Sequence, residues 1–249
     1  MLGLIGGTGL TNLANLEITH RQVVRTPYGE PSGALTFGNI NEHEVVFLAR
    51  HGYGHTIPPH LVNYRANIWA LQDQGVKDVV SVATVGGIHP DLKPGTIVLP
   101  DQIIDYTWGR KSTFEDHIGE QPVNHIDFTE PYSSQLRQLC MTAIQKVGDT
   151  CVDGGVYACV QGPRLETAAE INRLERDGAT MVGMTGMPEA VLARELGMDY
   201  AAIGVVANHA AGRGSSEHGI RYQDIDTVLA DAMKRVRSII EHLVVIHAG

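Results

Sequence analysis

The sequence predicts one α/β domain: a central mixed, largely parallel β-sheet flanked by helices. Three observations predict it. Short apolar runs recur along all 249 residues. Several are apolar at consecutive positions, as strands covered on both faces are. Between them lie helix-period segments that end at glycine, the usual left-handed cap. No repeat, linker or low-complexity tract divides the chain, so 1–249 reads as one domain.

Taken in order, the first strand is expected at 2–5 and runs into Ile5-Gly-Gly-Thr-Gly-Leu10. A second apolar run, 45–49, closes on Arg50-His51-Gly52, and a helix over 62–74 stops at Gly75. The run 79–83 leads into Thr84-Val-Gly-Gly87, and 96–99 follows. The segment 108–122 is polar and mixed, and reads as a mobile loop. Beyond it come a helix over 133–147 before Gly148 and a strand over 155–160. Gln161-Gly-Pro-Arg-Leu-Glu166 then connects to a helix over 167–176. A strand over 181–183, a small-residue turn, a helix over 189–196 and a strand over 200–207 complete the alternation. The last helix, about 223–245, sets Ile225, Val228, Leu229, Ala232, Met233, Val236, Ile239, Ile240 and Leu243 on one stripe, with Asp231, Lys234, Arg235 and Arg237 opposite.

Composition narrows the function classes. At 43% hydrophobic and 19% charged, the chain can bury a substantial core. A net charge of −9 argues against a general nucleic-acid surface or an anionic-membrane binder. No run approaches the ~18 apolar residues of a membrane span. Cys140, Cys151 and Cys159 show no CxxC spacing and read as reduced core thiols. A soluble cytoplasmic protein is expected, in which positive charge is local and informative.

The turn after residue 182, Gly183-Met-Thr-Gly-Met-Pro-Glu189, is the most informative stretch. It reads as aiming backbone N–H groups and the Thr185 hydroxyl at one point, a seat for an anion, with Pro188 in the first helical turn. Asn208 ends the next strand and should project into the same crevice. The glycine loop with Thr8 is either an anion-contacting loop or a plain tight turn; it lacks the dinucleotide fingerprint and the P-loop lysine. Arg50 at a strand's end suits a phosphate clamp. The alternatives there are a solvated loop, or metal through His51 and His55, against which Gly52, Gly54 and the Pro58-Pro59 pair argue. Glu166 either complements a helix dipole or accepts hydrogen bonds from a heterocycle.

Together, Gly6-Gly-Thr-Gly9, Arg50-His51-Gly52, Asn63-Tyr-Arg-Ala-Asn-Ile-Trp-Ala-Leu71, Gly162-Pro-Arg-Leu-Glu-Thr167 and Gly183-Met-Thr-Gly-Met-Pro-Glu189 closely resemble the trimeric purine nucleoside phosphorylase and methylthioadenosine phosphorylase family. The motifs are collinear from the first strand to the last helix. The resemblance implies phosphorolysis of a purine nucleoside, with inorganic phosphate as co-substrate, no metal or organic cofactor, and a homotrimer whose sites lie at subunit interfaces. By it, Thr8, Arg50, His51, the Ala83-Thr84 backbone and Thr185 would hold phosphate. Met184 would lie against ribose, Val85 and Gly86 against the base, and Leu165 where many relatives stack a phenylalanine. His125, in Asn124-His-Ile-Asp-Phe-Thr-Glu-Pro131, matches the residue lent to a neighbour's site.

Departures from the family pattern speak to substrate. Glu166, Asn208 and Ala210 stand where adenine-specific members have serine, aspartate and aspartate. Glu166 and Asn208 instead resemble the 6-oxopurine-specific branch, Glu166 accepting from N1–H and Asn208 donating to N7. Tyr222 aligns with the 5′-substituent position and suits a methylthio group through sulfur–aromatic contact. The reaction implied is S-methyl-5′-thioinosine plus phosphate to hypoxanthine plus 5-methylthioribose 1-phosphate. Inosine/guanosine or methylthioadenosine phosphorolysis are the alternatives, and a non-catalytic purine- or phosphate-binding protein is a different class.

Overall fold

In a computed structural model of the chain, residues 1–11, 13–115 and 123–249 are described, the Tyr222 side chain apart. The strands are β1 (Leu2–Gly6), β2 (Glu17–Gln22), β3 (Leu35–Ile40), β4 (His43–Ala49), β5 (Asp78–Gly87), β6 (Ile97–Leu99), β7 (Gln102–Asp105), β8 (Cys151–Asp153), β9 (Val156–Cys159), β10 (Met181–Gly183) and β11 (Asp199–His209). The helices are α1 (Tyr64–Asp73), α2 (Ser134–Lys146), α3 (Ala168–Arg176), α4 (Gly186–Glu195) and α5 (Tyr222–Ala248). All strands join one mixed sheet. None of the described helices is long and apolar enough to cross a membrane.

Period-2 alternation explains the consecutive apolar runs. Leu2, Leu4, Val80, Val82, Ile203 and Val205 face the layer formed by α2 and α5. Ile5, Val46, Leu48, Val79 and Val206 face the opposite layer, with α1 and α4. Strands buried on both faces have no polar side to reveal their period. Four strands escape the pattern. β2 is exposed along nearly its whole length and carries polar residues, while β3, with Gly38 and Asn39, and the short β7 and β8 show no clear alternation.

Helix ends follow local chemistry. Asn63, Ser133 and Thr167 cap α1, α2 and α3 through their side chains. At α3 this is a full capping box with Glu170, so Glu170, not Glu166, serves that helix terminus. Gly75 and Gly197 take φ of 81° and 68° just past α1 and α4.

Two features of the sheet create the site. β5 pairs with β1 only through Ser81 and meets β10 only at Gly86 and Gly87. Between those points it pairs with β11 on one side, leaving its other edge open. Both β5 and β11 outrun the strands read from sequence. β11 passes through Asn208 to His209, with a register shift at Ala207 that re-aims the residues beyond it.

The 108–115 segment is not a free loop. Arg110 donates to carbonyls at the ends of β9 and β10, and Glu195 accepts from Thr113 Oγ1 at 2.6 Å and from Phe114 N at 2.9 Å. Polar composition reads as mobility in a sequence, but here Arg110 is committed to internal carbonyls and Thr113 to the Glu195 carboxylate. The remainder, 116–122, lies outside the described residues.

Candidate active site

Where β5 is open, a cavity of about 650 Å³ penetrates to the core. Gly7, Thr8, Arg50, His51, Ala83, Thr84 and Thr185 line one half. Val85, Gly86, Leu165, Glu166, Met184 and Asn208 line the other. Four of the five collinear motifs thus meet at one cavity by the strand ends, the usual location of ligands in open α/β sheets, while the 63–71 motif lies off its wall.

Arg50 is fully buried. Its Nε and Nη2 grip Glu189 Oε2 and Oε1 at 2.7 and 2.8 Å, Nη2 also donates to Ser81 Oγ, and Nη1 donates to the Val82 carbonyl at 3.1 Å. Four of the guanidinium's five N–H groups are therefore committed inside the protein, leaving one on Nη1. The fork closes around Glu189, and the remaining Nη1 hydrogen is what Arg50 offers the cavity that it lines. Tyr200 Oη donates to the same carboxylate at 2.8 Å. Burial pulls the Arg50 pKa down, and Glu189 more than restores it. Gly7 makes room for this arrangement, since a Cβ there would sit 2.8 Å from Arg50 Nη1 and 2.6 Å from the Val82 oxygen.

The turn before α4 also departs from expectation. Met187 is extended, with ψ of 138°, so regular helix begins after Pro188. The Thr185 N–H points to Tyr157 Oη at 3.4 Å and the Met187 N–H to Cys159 Sγ at 3.2 Å. Those donors face inward rather than forming the anion seat read from the sequence. Thr185 itself does line the cavity. His51 Nδ1 lies 2.8 Å from the Ile57 carbonyl, which can only accept, so the neutral ring carries its hydrogen there. Burial, and then the adjacent Arg50, lower the imidazole pKa to about 4.

In the other half, Glu166 is half-buried, and burial raises its carboxyl pKa. Among the described residues no side chain hydrogen-bonds it. Asn208 Nδ2 donates to the His209 carbonyl at 2.6 Å, which fixes the amide's orientation and leaves its second hydrogen free.

Two residues singled out in the sequence, Ala210 and His125, are not on the cavity wall. Ala210 is buried behind Gly86, its Cα 3.5 Å from where a Gly86 Cβ would lie. It therefore shapes the wall from behind. His125 is exposed on the surface. Tyr222 opens α5, but its side chain lies outside the described ones.

Sequence reading missed several contributors. Glu189 and Tyr200 were read as part of a helix and a strand, although a lone acid in the apolar run Met187-Pro-Glu-Ala-Val-Leu192 is a signal of internal pairing. Ile57, Pro58, Pro59, Ile225, Asp226 and Leu229 also line the cavity. Ile225 and Leu229, four apart, were assigned wholly to the helix's core stripe.

Comparisons agree with this geometry. A family model described as the Phosphorylase superfamily matches residues 1–245. The chain is 51% identical to a probable S-methyl-5′-thioinosine phosphorylase of Pseudomonas syringae pv. tomato, over 94% of each chain. It is 46% identical to a 6-oxopurine nucleoside phosphorylase of Pyrococcus furiosus, over 85% of this chain and 80% of the other. A methylthioadenosine phosphorylase from Schistosoma mansoni in complex with adenine superposes with a TM-score of 0.92 at 32% identity, covering 99% of this chain and 91% of that one. The chain belongs to the phosphorylase superfamily and is an enzyme of nucleoside phosphorolysis.

Proposed function

We propose that the enzyme converts S-methyl-5′-thioinosine and phosphate to hypoxanthine and 5-methylthioribose 1-phosphate. The observation that carries this reading is that Glu166 and Asn208 line one cavity, with no described side chain bonded to the carboxylate. A carboxylate accepts from N1–H of a 6-oxopurine, whereas N1 of adenine is itself an acceptor. Such a mispairing costs about 1–3 kcal/mol. The names of the Pseudomonas and Pyrococcus relatives point to the same base class.

In the chemistry proposed, phosphate sits between the glycine loop, His51, the open edge of β5 and Thr185. The ribosyl group becomes oxocarbenium-like, stabilised by the nearby anion that then attacks it. The purine departs with growing negative charge, which the free Asn208 amide hydrogen meets at N7. A preorganised donor of this kind contributes about 3–4 kcal/mol. No metal or organic cofactor enters the scheme.

For the sugar's far end, the lining supplies the apolar side chains of Ile57, Pro58, Pro59, Ile225 and Leu229, with Asp226 beside them. These apolar side chains suit a methylthio group, and a 5′-hydroxyl would be desolvated against them. His125, exposed on its own subunit, is available to a neighbour's site in a homotrimer. Initial rates with phosphate and methylthioinosine, inosine and methylthioadenosine test the reading, and methylthioinosine is expected to turn over best. Faster turnover of inosine would favour the 6-oxopurine nucleoside reading that the Pyrococcus relative's name supports.

A further inference from the structure

β9 and β10 run parallel and pair up to Cys159 and Gly183, beyond which the Val160 N–H still reaches the Gly183 carbonyl at 2.8 Å. The chains then part. One leads to Leu165 and Glu166, the other to Met184 and Thr185. Parting leaves carbonyl groups of both ends without a ladder partner, and a buried carbonyl needs one.

Arg110 fills this fork. Its Nη1 donates to the carbonyls of Met184 at 2.8 Å and Met187 at 2.6 Å. Its Nη2 donates to those of Gln161 at 2.8 Å and Val160 at 3.3 Å, and Nε to Gln161 Oε1 at 3.2 Å. The cation also lies 5.4 Å from the Tyr64 ring centre. Its partners among the described residues are carbonyl, amide and hydroxyl oxygens, none a carboxylate. Arg110 thus ties together two strand ends, each at its backbone, and removing it orphans no buried acid.

We infer that Arg110 is a positioning residue for the nucleoside half of the site, fixing the start of the loop that carries Glu166 after β9 against Met184 at the end of β10. Only a planar fork with donors on two edges spans both ends; an ammonium does not. In the phosphate half, Arg50, His51 and the open edge of β5 receive no bond from Arg110, and only Thr185 lies between two of its partners, Met184 and Met187.

The inference rests on assigning Glu166 and Met184 to the nucleoside, so Glu166→Ala is measured in parallel. Arg110→Ala is expected to raise the nucleoside KM about 10- to 100-fold, the cost of misplaced contacts, with a much smaller change in the phosphate KM and a lowered melting temperature, since its carbonyl partners lose their donor. Where Arg110→Ala does not fold, Arg110→Lys is the test, with the same selective rise at smaller size. Equal changes in both KM values, or none, overturn the inference. If Glu166→Ala leaves the nucleoside KM unchanged, the base-site assignment itself fails. If it raises that KM while the Arg110 variants do not, only the role given to Arg110 fails.

Discussion

The two halves of the cavity are built on opposite principles. At the phosphate end, Arg50, Glu189, Tyr200 and Ser81 form a fully buried, mutually satisfied network that offers the cavity one spare N–H. At the purine end, Glu166 and Asn208 are half-buried and keep hydrogen-bonding capacity in reserve. One end holds charge still at the expense of leaving little free to bind. The other leaves its groups uncommitted so that a ligand completes them. Substitutions should therefore cost stability and chemistry together at the first end, and chemistry alone at the second.

The sharpest way to break this contrast is Glu189→Ala, which strands a buried guanidinium. Removing one partner of such a pair costs about 3–5 kcal/mol. Denaturant unfolding should report that loss, accompanied by a weaker phosphate KM; a stability change near zero would mean that the network is not what holds Arg50. Next in size, Asn208→Ala should lower kcat on the order of 100- to 1,000-fold, the effect of deleting a preorganised donor. Its unfolding midpoint should stay close to that of the parent. A comparable loss of stability would place Asn208 with the structural residues.

A smaller effect is expected from exchanging base-reading groups. Asn208→Asp combined with Glu166→Ser should move preference toward 6-aminopurine nucleosides by about 1–3 kcal/mol, read as the ratio of kcat/KM for methylthioadenosine over methylthioinosine. No gain in that ratio would refute the pocket assignment. Smallest is the pH dependence of stability from His51. Its folded-state pKa, about 4, lies below the ordinary 6.5, so the unfolded chain binds the extra proton between those values. The contribution is present above about 6.5 and is lost as pH falls toward 4. Urea midpoints should fall across that window, less steeply in His51→Gln; identical slopes would show that His51 is not the group responsible.

Much of this was legible in one dimension because short-range chemistry writes it there. Thr167 with Glu170, Asn63 and the glycines at 75 and 197 announce helix ends through bonds that span at most a few residues. Motifs such as Gly6-Gly-Thr-Gly9 and Arg50-His51-Gly52 stand at strand ends, and strand ends converge in an open α/β sheet. Less visible were β2 and β3, whose polar or glycine-containing residues carry no apolar period, and the tethering of 108–115 by bonds to distant carbonyls.

By itself, then, the sequence determined the α/β class, the order of the helices and of the apolar strands, and most of the motifs that gather around one cavity, because burial pattern and capping are local properties. Only the tertiary structure decided what those groups do with their hydrogen bonds. Arg50 closed most of its fork on Glu189, the Thr185 and Met187 N–H groups turned toward Tyr157 and Cys159, and Ile225 and Leu229 reached the cavity wall as well as the core. The reason is that each donor is satisfied by whichever acceptor packing brings within about 3 Å, and Arg50 and Glu189, so joined, are 139 residues apart in the chain.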